Sequence, residues 1–393
     1  MRRGLLPYAT AATIARSATE AIPPAVLLVA VATGSSAANG ALLLSCYVAA
    51  GALAGPFVGA ALDRTSRPKR ALGAAMGLLA ASLVGVALGL GHFPFWLLAI
   101  LAGLAGLGQP APTSGWTAQL PRIVSERSIS GAYALDSATY NIGMIAGPGL
   151  AGVAILLGKR EPLLVPVALI CIAIVVLAFV PIAPLDTSQK RENASIRRGF
   201  TVMMRQPLLL RSSITSTLGL AGQAALVVAA PDISSRFSGD LNAVGPLFVA
   251  LAIGGLLSSL YLARRPMAEP DRWVAIGTAI IGLGFVLLAF ANSLALTFAA
   301  AFVVGLGDGP MFTATLRIRA REAPIEVRSQ VFATAASFRV GSYALALAGL
   351  GALLHDGIRT VLLAGAAVAA AAVFLGWLST AWRVGKQIGR AHV

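Results

Sequence analysis

Twelve stretches of about 20 mostly apolar residues follow one another along this 393-residue chain, separated by short polar turns. A helix rises 1.5 Å per residue, so about 20 residues cross the roughly 30 Å hydrocarbon layer of a bilayer. The stretches run 6–32, 39–62, 70–91, 95–119, 130–157, 162–184, 209–231, 241–262, 272–293, 296–316, 328–354 and 359–381. Closed barrels are the other spanning solution, and their alternating ten-residue pattern is absent. The expected fold is therefore an all-α integral membrane protein with twelve transmembrane helices. Only 11% of residues are charged, where a soluble chain carries about 25%, so lipid has to be the solvent for most of the surface.

A net charge of +15 would suggest nucleic acid in a soluble protein, but here the cations are sorted by loop. Of 30 lysines and arginines, 23 fall at the termini and in alternate loops, four in the opposite loops, and three (Arg16, Arg211, Arg339) within or beside spans. That asymmetry predicts an even helix count with both termini cytoplasmic. The excess of arginine over lysine, 26 to 4, with abundant alanine and glycine, points to a GC-rich bacterial genome and so to a bacterial inner membrane. Arg16 and Glu20 interrupt the first apolar stretch, which reads as an uncleaved helix rather than a signal peptide. Cys46 and Cys171 lie in apolar runs, and three histidines are scattered, so neither a metal site nor a cofactor is expected.

The longest polar stretch, 186–206, reads as a cytoplasmic linker between six-helix bundles at 1–185 and 207–393, the second ending in a short cytoplasmic tail. An internal repeat supports this division. Gly106-Leu107-Gly108-Gln109 corresponds to Gly305-Leu306-Gly307-Asp308. Likewise Ser137-Ala138-Thr139-Tyr140-Asn141-Ile142-Gly143 corresponds to Ala335-Ala336-Ser337-Phe338-Arg339-Val340-Gly341. Parallel six-helix repeats are one transporter plan, with substrate bound near mid-membrane.

Two motifs point to a family. After the second span stand Gly59, Asp63, Arg64, Arg67 and Arg70: a small residue for close helix approach, then a carboxylate among cations at the cytoplasmic mouth. This resembles the loop signature of the major facilitator superfamily, although Pro68 interrupts the basic run. The resemblance implies a latch that closes the cytoplasmic side, with Asp63 and Arg64 as its working residues. The plainer alternative is an orientation signal, which explains the arginines but leaves the Asp-Arg pair unexplained. In the second half, Ser258–Arg265 keeps cations and lacks the aspartate. On the fifth span, Gly143, Gly147, Pro148 and Gly152 are similar to the Gly-Pro motif of the family's antiporters, which implies export. Ala151 departs from the pattern, and a small-residue packing seam with a kink is the bland alternative.

Five ionisable residues lie deep in spans: Arg16, Glu20, Asp136, Asp308 and Arg339. Each costs about 2.5–3.5 kcal/mol at mid-membrane if unpaired, so they have to pair or face a wet cavity. The third, sixth, ninth and twelfth spans have uncharged cores, in keeping with the lipid-facing place the family gives them. Arg16 and Glu20 are four apart and share a helical face, so they are expected to interact. Two cations against three acids leave one carboxylate over, and a desolvated lone carboxylate takes up a proton. Asp136 is preferred to Glu20 and Asp308 as that coupling group; a purely structural network is the alternative. Further pathway candidates are Gln109, beside the kinking Pro110 and Pro112, with Tyr140, Asn141 and Gln223. Trp116 is a further cavity candidate, though an interfacial belt residue is the preferred reading for it.

The expected function is secondary transport: proton-coupled efflux of a small amphipathic organic compound by alternating access, from a monomer in the bilayer. Uptake of a metabolite is the alternative, with Arg16 or Arg339 holding an anionic group. A non-transporting membrane enzyme or sensor is the second alternative. No phosphate-binding loop or nucleophile elbow is present, which argues against it and against primary, nucleotide-driven transport.

Overall fold

The computed structural model describes residues 2–124, 129–183, 196–263, 269–324 and 327–391. Among them there is no β-strand, and thirteen α-helices form the chain. They are α1 (Arg2–Ala32), α2 (Ala37–Arg64), α3 (Pro68–Gly89), α4 (Phe95–Gly108), α5 (Ile129–Ala154), α6 (Glu161–Leu177) and α7 (Ile196–Arg205). The second set is α8 (Pro207–Ser238), α9 (Val244–Ala263), α10 (Pro270–Phe290), α11 (Leu294–Glu322), α12 (Arg328–Ala352) and α13 (Ile358–Ala391). Twelve of these fall on the predicted stretches. Ten candidate spans among the described residues, α4 counted through Gly115, are apolar and long enough to cross a membrane, and α6 is apolar but only 17 residues long.

Local chemistry explains the breaks. Ser36 and Ser293 cap α2 and α11 by accepting from the Asn39 and Leu296 amides, and proline opens α3, α8 and α10, where a missing N–H costs nothing. Gly34, at φ +89°, makes the reversal between α1 and α2, a conformation that side chains disfavour. Two expectations change in detail. The fourth span is not one regular helix: α4 stops at Gly108, and a π-turn at Ala111–Gly115 follows, with the Gly115 amide reaching the Pro110 carbonyl at 2.8 Å. Pro110 and Pro112 remove the donors a regular helix would need there. The polar linker also contains α7, whose Phe200 ring lies 5.7 Å from Phe338 on α12.

The chain groups into two compact units. One holds Met1–Lys190 with Ala230–Val249; the other holds Arg191–Ala229 with Ala250–Val393. Each is built on the same glycine contacts. A Cβ on Gly106 would sit 2.1 Å from the Tyr47 carbonyl of α2, and one on Gly108 2.4 Å from that of Ala75 on α3. In the second unit, Gly305 would meet the Leu251 carbonyl of α9 at 1.9 Å, and Gly307 that of Gly277 on α10 at 2.4 Å. The repeat read from sequence is thus a repeat of backbone-to-backbone packing, where small residues substitute for the hydrophobic drive that lipid removes. Helices α1 and α8 are the most enclosed, 78% and 72% buried over their apolar windows against 22–50% for the other eight candidates. Phe57, Trp96, Phe179 and Trp377 are exposed, as lipid-facing side chains are and as a water-soluble surface rarely tolerates.

Candidate functional site

In the first unit, α1 and α5 approach at their glycines. A Cβ on Gly143 would lie 3.1 Å from the Arg16 backbone, and one on Gly147 2.4 Å from the Ser17 carbonyl. This contact carries Arg16 into α5, where it is fully buried beside Asp136 at 4% exposure. Arg16 Nη2 is 2.8 Å from Asp136 Oδ1. Nη1 donates to the Asp136 carbonyl at 2.7 Å and to Thr139, and Nη2 donates to Thr117 at 2.9 Å. Asp136 also accepts from the Tyr8 hydroxyl and, at 2.9 Å, from Thr117. The Tyr140 ring lies 3.5 Å from the guanidinium carbon. These bonds meet most of the donors and acceptors that a buried ion pair has to satisfy to be tolerable; of the guanidinium nitrogens, Nε alone is left without a partner among the described residues.

This pairing corrects an expectation. Arg16 and Glu20 share no hydrogen bond or ion pair; the cation is taken by Asp136, 120 residues along the chain. Glu20 is half-buried with no bonded partner among the described residues, near the Tyr47 hydroxyl, which is buried and also unbonded. Trp116 is likewise corrected. It is fully buried and meets the Tyr8 ring edge-on at 5.8 Å, so it belongs to the packing behind the ion pair rather than to an interfacial belt.

The second unit holds a looser cluster. Gln223 of α8 donates to Asp308 of α11 at 2.8 Å, and Arg339 of α12 stands 4.0 Å from the same oxygen. The Arg339 guanidinium lies 4.6 Å from the Phe312 ring centre, and its buried Nε has no partner. Arg319, also on α11, is only 3% exposed, and its Nε and Nη2 are buried without a partner.

The remaining candidates scatter. Gln109 lies at the end of α4 against α2, its Oε1 3.0 Å from where a Gly51 Cβ would stand. Asn141 is half-buried and enters no hydrogen bond among the described residues. In the loop motif, Arg67 and Arg70 are exposed; the side chains of Asp63 and Arg64, like the environment of Gly59, lie outside the described residues. Gly152, the last of the Gly-Pro run, meets Gly245 of α9 so closely that an added Cβ would be 2.3 Å from its Cα. Tyr8, Thr117, Thr139, Phe312 and Arg319 were not among the sequence candidates. Hydroxyl and aromatic residues in spans carry no distinguishing signal, and Arg319 sits in a run of terminal arginines that reads as an orientation signal.

A family model described as "Major Facilitator Superfamily" matches residues 8–339. The multidrug efflux pump Tap of Mycolicibacterium fortuitum is 27% identical over 313 residues, covering 75% of this chain and 74% of that protein. The multidrug resistance protein MdtG of Klebsiella pneumoniae is 26% identical over 357 residues, covering 86% and 82%. Among solved structures, the nucleoside transporter NupG superposes with a TM-score of 0.79 at 13% identity, covering 96% of this chain and 99% of that one, a likeness of fold alone. The match spans most of the sequence, and the chain belongs to the Major Facilitator Superfamily of transporters.

Proposed function

We propose that the protein is a proton-coupled exporter of a small amphipathic organic compound, working by alternating access as a monomer with both termini in the cytoplasm. The observation that carries the reading is the position of Glu20. It lies on the α1 face clamped by Gly143 and Gly147, while the Arg16 beside it is committed to Asp136. Glu20 is thus a deep, half-buried acid with no bonded cation among the described residues, and a carboxyl group not locked in an ion pair is able to exchange a proton, the property a proton carrier needs. The coupling role therefore moves from Asp136, the sequence preference, to Glu20. Export is supported by the Gly-Pro run of α5 and by the two multidrug relatives. Asp63 and Arg64 would close the cytoplasmic side.

Growth inhibition in an efflux-deficient host, wild type against Glu20→Gln and Asp63→Asn, tests this. Resistance to a compound class that both variants lose is the expected result; no resistance to any class, with uptake in intact cells, reverses the direction. That second reading, uptake of a small metabolite, draws on the incompletely bonded guanidinium groups of Arg319 and Arg339 in the second unit.

A further inference from the structure

We infer that Arg319 and Arg339 form a site for the oxyanion of an organic acid, a carboxylate or phosphate carried on a hydrophobic body. The inference rests on the transporter reading above and names its substrate class. Asp308, Phe312, Thr315 and Arg319 recur at steps of four, three and four along α11, so they share one face. Helical side chains lean toward the N-terminus, which carries the Arg319 head group back along that face toward Phe312. Arg339 reaches the same face from α12, between Asp308 and the Phe312 ring, close enough for its charge to act on Arg319.

The electrostatic balance is incomplete. Asp308 faces Arg339 and already accepts from Gln223, while Arg319, about three turns further along α11, makes no ion pair among the described residues. Arg339 Nε is buried without a partner among the described residues, and the 4.0 Å approach of Nη2 to Asp308 is too long to be a hydrogen bond. Arg319 is 3% exposed with Nε and Nη2 both unbonded. A folded protein ordinarily satisfies such donors, and a planar donor pair of this kind matches the two oxygens of a carboxylate or phosphate. Phe312 is 41% exposed and offers an adjoining apolar face. The cluster is complete when an anion with a hydrophobic body enters it.

The full chain in phosphatidylcholine nanodiscs tests this through thermal unfolding read by tryptophan fluorescence. The probes are 2-naphthoate and 2-naphthyl phosphate, against the neutral 2-naphthylmethanol and the cationic 2-naphthylmethylamine. Both anions should protect, and the two controls should bind at least about tenfold more weakly, as loss of a charged hydrogen bond implies. Arg319→Gln should weaken naphthoate by a similar factor and raise the unfolding temperature of the ligand-free protein, because it removes an unpaired buried charge. A structural arginine would lower that temperature. Arg339→Gln, with Arg319 intact, gives the same binding test should Arg319→Gln misfold. Equal protection by all four probes, by none, or unchanged naphthoate affinity in the variants overturns the proposal. So does protection that appears only when phosphatidylglycerol is added to the disc, which would assign the site to lipid. Proton-driven export of a cationic dye without naphthoate binding would sink the substrate class and leave the exporter standing.

Discussion

The two ion clusters occupy different steps of the same repeat. In the first unit the repeat positions Gln109 and Asn141 are neutral, and the charges stand instead on Arg16 and Asp136. In the second unit the corresponding positions are Asp308 and Arg339. The first pair is 2.8 Å apart, buried, and surrounded by three hydroxyl groups; the second is 4.0 Å apart, partly exposed, and shares its carboxylate with an amide. Equal scaffolds thus hold one closed cluster and one open one. A closed cluster fixes helices, whereas an open one has binding capacity left over. The groups without an ion-pair partner among the described residues also differ in kind, an acid at Glu20 and a guanidinium at Arg319.

Removing an acid from each cluster should break this symmetry most strongly. Asp136→Ala leaves Arg16 fully buried without its counter-ion, and destabilisation of about 3–5 kcal/mol follows from stranding one partner of a buried pair. Asp308→Ala should cost only about 1 kcal/mol, the scale of a partly exposed pair. Thermal unfolding of the two purified variants measures both; equal losses would show that the second cluster is as closed as the first.

Glycine substitution separates the units next. Gly143 and Gly341 are repeat mates, but only Gly143 touches a neighbour, 3.1 Å from the α1 backbone, while nothing lies within 4 Å of Gly341. The tighter Gly147 would place a Cβ 2.4 Å from the Ser17 carbonyl. Gly147→Ala should therefore cost about 1–3 kcal/mol by overpacking and loosen the Arg16–Asp136 geometry. Gly341→Ala should be neutral, or stabilising by up to about 1 kcal/mol through helix propensity. Comparable destabilisation in both would mean that α12 packs as α5 does.

These contrasts mark what sequence could convey. Apolar length and loop charge were sufficient for the helices, because a bilayer permits few alternatives. The buried ions were visible as interruptions in apolar runs. Their partners were not, since four-residue spacing says that Arg16 and Glu20 share a face and nothing about a closer acid on another helix. That choice is made by Gly143 and Gly147, which bring Asp136 within reach. Arg319 escaped for the opposite reason: among Arg317 and Arg321 it looked like one more terminal cation, and only packing reveals that it is enclosed. The π-turn after α4 was foreshadowed by Pro110 and Pro112, though its form was not.

Glu20→Gln is the smallest perturbation to the fold and the one most specific to mechanism. Since no bonded partner is lost, stability should stay within about 0.5 kcal/mol of wild type, in contrast to Asp136→Ala a few residues away in space. The amide resembles the neutral acid in shape and cannot release a proton. In everted vesicles the variant should therefore lose accumulation driven by a pH gradient while keeping substrate exchange at equal pH, because exchange needs the site to open alternately but needs no proton to leave. Asp136→Asn, if it folds, should impair both, since it disturbs the geometry that holds α1 against α5. Gradient-driven accumulation that survives in Glu20→Gln would remove Glu20 from the coupling path and return the role to the acids of the two ion pairs.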